Sequence, residues 1–147
     1  MEIKGEHTFE ANRQQVWDFL LDPEVLQQCL PGCEKREKVG DDEYAANMKI
    51  GIAMIKGNFA GKVKITDKIE PESYTMEVEG SGPQGQVSGV GKLVLVESDG
   101  KTTVQYIGDA NVRGTIARVG ARMVQPAARQ IVGQFFGCLA SRAASAE

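Results

Sequence analysis

The chain has 147 residues, with 17 Lys and Arg against 20 Asp and Glu, a net charge of −3 at pH 7. That length suits one domain and is enough to bury a core without metal or disulfide staples. The 41% hydrophobic and 25% charged residues exclude a disordered chain, and the acidic balance leaves no electrostatic footprint for nucleic acid. The longest uncharged apolar stretch, Ile50 to Ile55, falls well short of the roughly 20 residues that a membrane-spanning helix needs.

The N-terminal stretch, MEIKGEHTFE, alternates and carries charge, unlike a secretory signal. Glu2 to Glu10 reads as a first strand, with Ile3, His7 and Phe9 at alternate positions. Asn12 is placed to cap a helix from about Arg13 to Leu21, whose apolar side holds Val16, Trp17, Phe19 and Leu20. Asp22-Pro23 opens a second short helix, which Pro31-Gly32 stops. The period then changes to two. Tyr44, Ala46, Met48, Ile50 and Ile52 share a face; so do Phe59, Gly61, Val63 and Ile65; so do Tyr74, Met76 and Val78. Val87, Gly89, Gly91, Leu93 and Leu95 form a further inward set, and Val104, Tyr106, Gly108, Ala110 and Val112 the last. Ser98-Asp99-Gly100-Lys101 is a hairpin turn. After Gly114 the period returns to 3.6, predicting a helix from about Thr115 to Ala144 that bends at Pro126.

Strands that are apolar on one face and charged on the other must have the apolar face covered. The order of elements predicts an α+β helix-grip fold as a single domain over residues 1–147. A curved antiparallel sheet of about six or seven strands wraps the long C-terminal helix, with two short helices after the first strand. Gly61, Gly89, Gly91 and Gly108 lie at inward positions on adjacent strands. They leave room for a ligand, or they mark bends where the sheet curls, and both readings stand.

Along the C-terminal helix, Ile116, Val119, Gly120, Met123, Ala127 and Ile131 fall on one side. Arg118, Arg122 and Arg129 lie opposite, within about 40° of each other at about 100° per residue, with Val132 and Phe136 near them. From Ala110 to Ala146 there are five arginines and no acidic residue, which leaves a charge of −8 for the rest of the chain. Such a face is either solvated or a docking surface for a membrane or an acidic partner.

Most motifs that could carry chemistry fail on context. Gly80-Ser81-Gly82-Pro83-Gln84-Gly85 spells a dinucleotide fingerprint, but a strand follows it where a helix is required. Cys29 and Cys33 have the wrong spacing for a zinc site, and the odd count of three cysteines, with Cys138, predicts reduced thiols in a cytoplasmic protein. His7, the single histidine, sits in a strand beside Phe9 and reads as a core or rim residue. The inward polar groups are Tyr44, Tyr74 and Tyr106, whose phenols could hydrogen-bond a ligand or sit in water at strand ends.

The stretch Asp22-Pro23-Glu24-Val25-Leu26-Gln27-Gln28-Cys29-Leu30-Pro31-Gly32-Cys33-Glu34 resembles the signature of the CoxG family of carbon monoxide dehydrogenase subunits, part of the START-like (SRPBCC) helix-grip superfamily. Gly57 to Val63, Gly80-Ser81-Gly82, Gly114 to Gly120 and Phe135-Phe136 resemble it too, so the likeness covers essentially the whole chain. It implies a non-catalytic accessory protein of a molybdenum-containing carbon monoxide dehydrogenase or related hydroxylase, serving membrane association or quinone delivery. The ligand would be a quinone or another lipophilic molecule, with no covalent cofactor and no metal. Some relatives are expected to continue into an apolar C-terminal anchor, whereas this sequence ends at Ser145-Ala146-Glu147.

The residues expected to line the cup are Leu26 and Leu30 at the short helices, where they would suit a gate. On the strands they are Met48, Ile50, Ile52, Phe59, Tyr74, Met76, Val87, Leu93 and Tyr106, and on the C-terminal helix Val119, Met123, Ala127 and Ile131. Arg118, Arg122 and Arg129 would dock a partner or the inner face of the membrane. Two other functions fit the same fold. One is a cyclase or dehydratase acting on an aromatic ligand in the cup, with His7 and the tyrosines as its polar groups. The other is a pure adaptor working through the arginine face.

Overall fold

A computed structural model describes residues 2–29, 33–40, 42–52, 55–83, 85–118 and 121–146; within these, the side chains of residues 23, 26–27, 33–39, 50–52, 55–56, 115–116, 121–124 and 143–146 lie outside the description. The elements run β1 (Glu2–Phe9), α1 (Arg13–Leu21), α2 (Pro23–Cys29), β2 (Cys33–Gly40), β3 (Glu43–Ile52), β4 (Ile55–Ile69), β5 (Ser73–Gly82), β6 (Gly85–Ser98), β7 (Lys101–Arg113), α3 (Thr115–Arg118) and α4 (Ala121–Ala146). All seven strands form one antiparallel sheet in the order β1-β7-β6-β5-β4-β3-β2. From β2 to β7 the chain is a meander; only β1 pairs with a strand distant in sequence.

Local chemistry explains the boundaries. Asn12 and Gln15 form a reciprocal capping box at the start of α1: the Gln15 N–H donates to Asn12 Oδ1 at 2.9 Å and the Asn12 N–H to Gln15 Oε1 at 3.1 Å. The next free donor, Arg13 N–H, reaches the Glu97 carboxylate on β6 at 2.6 Å, so α1 is pinned to the sheet by its own N-terminus. Asp22 accepts from the Glu24 N–H at 2.9 Å and opens α2. Asp99 and Gly100 both have positive φ, 53° and 76°, as a tight hairpin matched to strand twist requires. Gly85, at φ 138°, opens β6; a Cβ there would collide with the Arg113 carbonyl oxygen, so only glycine fits.

The C-terminal helical segment falls in two elements, α3 and α4, on either side of residues 119–120, which lie outside the described residues. α4 runs through Pro126 within one helical stretch. It does not bury a single side along its length. Ala127 and Phe136 are nine residues apart, which puts them on opposite sides of an ideal helix at about 100° per residue, yet both are buried. Ala127 of the expected apolar stripe is thus buried, and the expectation that Phe136 lies near the exposed arginines is corrected.

The core gathers at one end of the sheet. Val16, Trp17 and Leu20 from α1, Cys29 from α2, Phe9 from β1, Ile65 from β4, Tyr74 from β5, Leu93 and Leu95 from β6, Val104 from β7, and Phe136 and Leu139 from α4 make one buried cluster. Within it, buried Thr102 donates its hydroxyl to the Ala11 carbonyl at 2.8 Å, which ties the start of α1 to β7.

Candidate functional site

The strand registers place the inward residues in transverse rows across the concave face. Tyr74, Leu93 and Tyr106 stand side by side, with Leu95 and Val104 one row nearer the short helices. These rows belong to, or pack against, the core. The next row holds Ile65, Met76, Gly91, Gly108 and Ile3; the one beyond holds Tyr44, Val63, Val78, Gly89 and Ala110; a third holds Ala46, Gly61, Gly80, Val87 and Val112. Seven of these fifteen positions are glycine or alanine. The effect shows within β5 alone. Tyr74 and Val78 point to the same side of the strand, yet Tyr74 is 2% exposed and Val78 is 37% exposed. The far half of the concave face is therefore a cup with an apolar wall and a floor of little side-chain volume.

The two readings of the inward glycines divide by position. A Cβ at Gly61, Gly89 or Gly108 would press to 3.1 Å on a carbonyl of the neighbouring strand, so these three serve the tight curl of the sheet. At Gly80 and Gly91 a Cβ would meet, among the described residues, only neighbouring-strand backbone at 3.6–3.9 Å. Among the described residues, these two positions have ordinary room for a Cβ.

The helices lie over the concave side of the sheet. α3 lies against β6 and β7, and α4 approaches β1, α1 and α2. Gln125, near the start of α4, donates from Nε2 to the Glu2 carbonyl at 2.9 Å. Towards the packed end, the Phe136 ring stacks on Tyr106 with centroids 5.2 Å apart and on His7 at 5.7 Å, while His7 meets Phe9 edge-on at 4.8 Å. The Tyr106 ring lies over Gly5 of β1, where any Cβ would strike its hydroxyl end.

The expected site residues separate accordingly. Met48, Met76, Val87 and Ile131 are half-buried on the concave side or the roof. Phe59 is buried and lies across Gly82 at the far rim. Ala127, on α4, is buried. Tyr106 is half-buried in the aromatic stack. Leu93 and Tyr74 belong to the packed core: Tyr74 meets Trp17 edge-on at 5.5 Å, and burial pushes its phenol well above the ordinary tyrosine value, so it stays neutral. The side chains of Leu26, Ile50, Ile52, Met123 and Arg122, and residues Leu30 and Val119, lie outside the described residues. Arg118 in α3 and Arg129 in α4 are exposed. Phe136, which the helical wheel set beside the arginines, is 4% exposed and in the core.

The expectation of three reduced thiols is corrected. Cys29 of α2 and Cys138 of α4 form a disulfide, with Cα atoms 5.4 Å apart across 109 residues of sequence. No spacing rule reveals such a pair; only the packing of α2 against α4 creates it. With the pair formed, the cysteine count no longer points to a reducing compartment.

Sequence reasoning also missed the convex face. Two adjoining cavities of about 600 and 660 Å³ lie there, lined mostly by outward residues including Asn47, Lys62, Glu79, Asn111 and Arg113 in one and Glu43, Lys64, Glu77 and Asp109 in the other. The registers pair Lys62 with Glu79 and Lys64 with Glu77. The trough mixes these charged side chains with apolar wall, exposed Val90 among it. Among the described residues no group of three or more His, Cys, Asp or Glu could hold a metal ion, and no helix is long and apolar enough to cross a membrane.

A seven-stranded antiparallel sheet curled around a C-terminal helix, with two short helices after its first strand, defines the START-like helix-grip class. A START superfamily protein from Mycobacterium smegmatis superimposes with a TM-score of 0.74 at 12% identity over 99% of both chains. The ZhuI aromatase/cyclase from Streptomyces sp. R1128 does so with a TM-score of 0.73 at 14% identity, over 97% of this chain and 93% of that one. A conserved protein from Geobacillus kaustophilus is much nearer, with a TM-score of 0.96 at 32% identity over 99% of this chain and 96% of that one. No curated protein matches the chain. The model of CoxG, a carbon monoxide dehydrogenase subunit family, matches residues 5–144, and the chain belongs to that family.

Proposed function

We propose that this CoxG-family protein is a non-catalytic carrier. Its cup takes a lipophilic, quinone-like molecule, and the protein delivers it to, or places it beside, a molybdenum-containing carbon monoxide dehydrogenase or a related hydroxylase. The observation that carries this reading is the side-chain-free floor at Gly80 and Gly91 beneath an apolar wall. Natural cores do not leave such room without an occupant. The family supplies the partner: a dehydrogenase that needs an electron acceptor has a use for a module holding an apolar one. The exposed Arg118 and Arg129, on a segment without acidic residues, offer a surface to that enzyme or to an anionic membrane.

An enzyme of the cyclase type is the weaker reading. It needs an acid or base free in the cup, and His7, the single histidine, has its ring stacked between aromatic neighbours. An adaptor that works only through its arginines would have no use for the open floor.

Native mass spectrometry on protein from a quinone-producing host, followed by solvent extraction, tests the proposal. A quinone at near-stoichiometric level is the expected result. Protein that is empty and also fails to take up decylubiquinone in titration overturns the carrier reading and favours the adaptor.

A further inference from the structure

The Cys29–Cys138 bond joins α2 to α4. Cys29, the last residue of α2, is 3% exposed, whereas Cys138 on α4 is half-buried and reaches the surface. Cys138 sits between Phe136 and Leu139, the two α4 side chains buried deepest in the packed end. On the other side of the bond, α2 leads directly towards β2, the edge strand of the sheet. The disulfide therefore fastens the C-terminal part of the roof helix to α2 at the packed end of the sheet.

We propose that this pair is a redox-sensitive clip: closed, it holds α4 down on α2 and slows exchange of the cup's occupant; open, it lets the roof lift. The gating rests on the carrier reading above, while the hold on the helices does not. Opening uses a dithiol reductant. One thiolate of the reductant attacks the accessible Cys138 sulfur and expels Cys29 as a thiolate, which takes a proton. The second reductant thiol then displaces Cys138 from the mixed disulfide. Two electrons and two protons pass to the protein, and the reductant leaves as its own disulfide. Closing is the same exchange in reverse with a disulfide oxidant.

Three measurements on the full chain test the clip. Alkylation with iodoacetamide after denaturation should add one adduct per chain without reduction, at Cys33, and three after reduction; three adducts without reduction overturn the proposal. Hydrogen exchange should show protection in α2 and in residues 130–146 of α4 falling at least tenfold when the protein is reduced and desalted under anaerobic conditions, and equally in Cys138→Ser. Unchanged protection overturns it. Dissociation of decylubiquinone, a fully substituted quinone that does not alkylate thiols, should be at least fivefold faster from the open forms. If protection falls but dissociation does not change, the bond is a structural staple and the gating is overturned. If neither form binds the quinone, the carrier reading fails and the gating with it, while the exchange data still decide whether the bond holds the roof.

Discussion

The two halves of the concave face are built from the same strands with the same alternation, yet one is packed and the other is not. At the end near α1 and α2 the inward residues are Leu93, Leu95, Tyr74 and Val104, and helices α1 and α4 answer them with Trp17, Leu20, Phe136 and Leu139. Four residues further along β6 and β7 the side chains shrink to glycine at Gly89, Gly91 and Gly108. The contrast teaches that the packed half holds the fold together and the open half is relieved of that duty. It also separates stability from binding, which makes it breakable by substitution.

Trp17→Ala should have the largest effect. It removes the ring that meets Tyr74 and leaves a cavity in the core cluster, for a loss of about 3–5 kcal/mol in urea unfolding. Thr102→Val keeps the shape but leaves the buried Ala11 carbonyl without its donor, and should cost about 1–3 kcal/mol by the same measurement. Tyr74→Phe acts only in alkali. Burial raises the Tyr74 pKa in the folded state above that of the unfolded chain. The unfolded state thus loses this proton first, and the stability the neutral phenol provides falls as pH rises above about 10. Thermal melts across that range should show a shallower decline for the phenylalanine variant. Gly80→Leu and Gly91→Leu should have the smallest effect on stability, shifting Tm by only a few degrees, because a Cβ fits at both positions. They should nevertheless weaken decylubiquinone uptake at least tenfold. A fill variant that binds normally would show that the occupant lies elsewhere; one that unfolds would show that the open half is structural after all.

The fold was largely legible in the sequence, for physical reasons. Period-two alternation with charged outer residues such as Lys62, Lys64, Glu77 and Glu79 can satisfy only one face of a sheet. The capping chemistry of Asn12 and the Asp99-Gly100 turn mark boundaries that depend on near neighbours alone. What was not legible depends on distant partners. Nothing near Tyr74 in sequence distinguishes it from Tyr44 or Tyr106; only Trp17, brought across by α1, makes it core. The Cys29–Cys138 pair needs α2 and α4 in place. Gly61 and Gly80 look alike in sequence, and only the register with Glu79 and Ala60 shows that one is demanded by curvature and the other leaves space. A helical wheel puts Phe136 beside Arg129 because it assumes one buried side for the whole helix. The rings of His7 and Tyr106, which come from β1 and β7, are what make Phe136 core.

The position of the first strand has a consequence for how the protein is made. Glu2 pairs with Asp109 and Phe9 with Thr102, so β1 waits for a partner that the ribosome delivers about a hundred residues later. The hairpins from β2 to β6 can close one after another as they emerge, since each pairs with its immediate predecessor. Until β7 arrives, β6 has an unpaired edge and the opening strand of the nascent chain has nothing to bind. The sheet is therefore sealed only once β7 has been made, and a chain stalled before residue 101 would carry the open edge of β6 and an unpaired β1 into the cell.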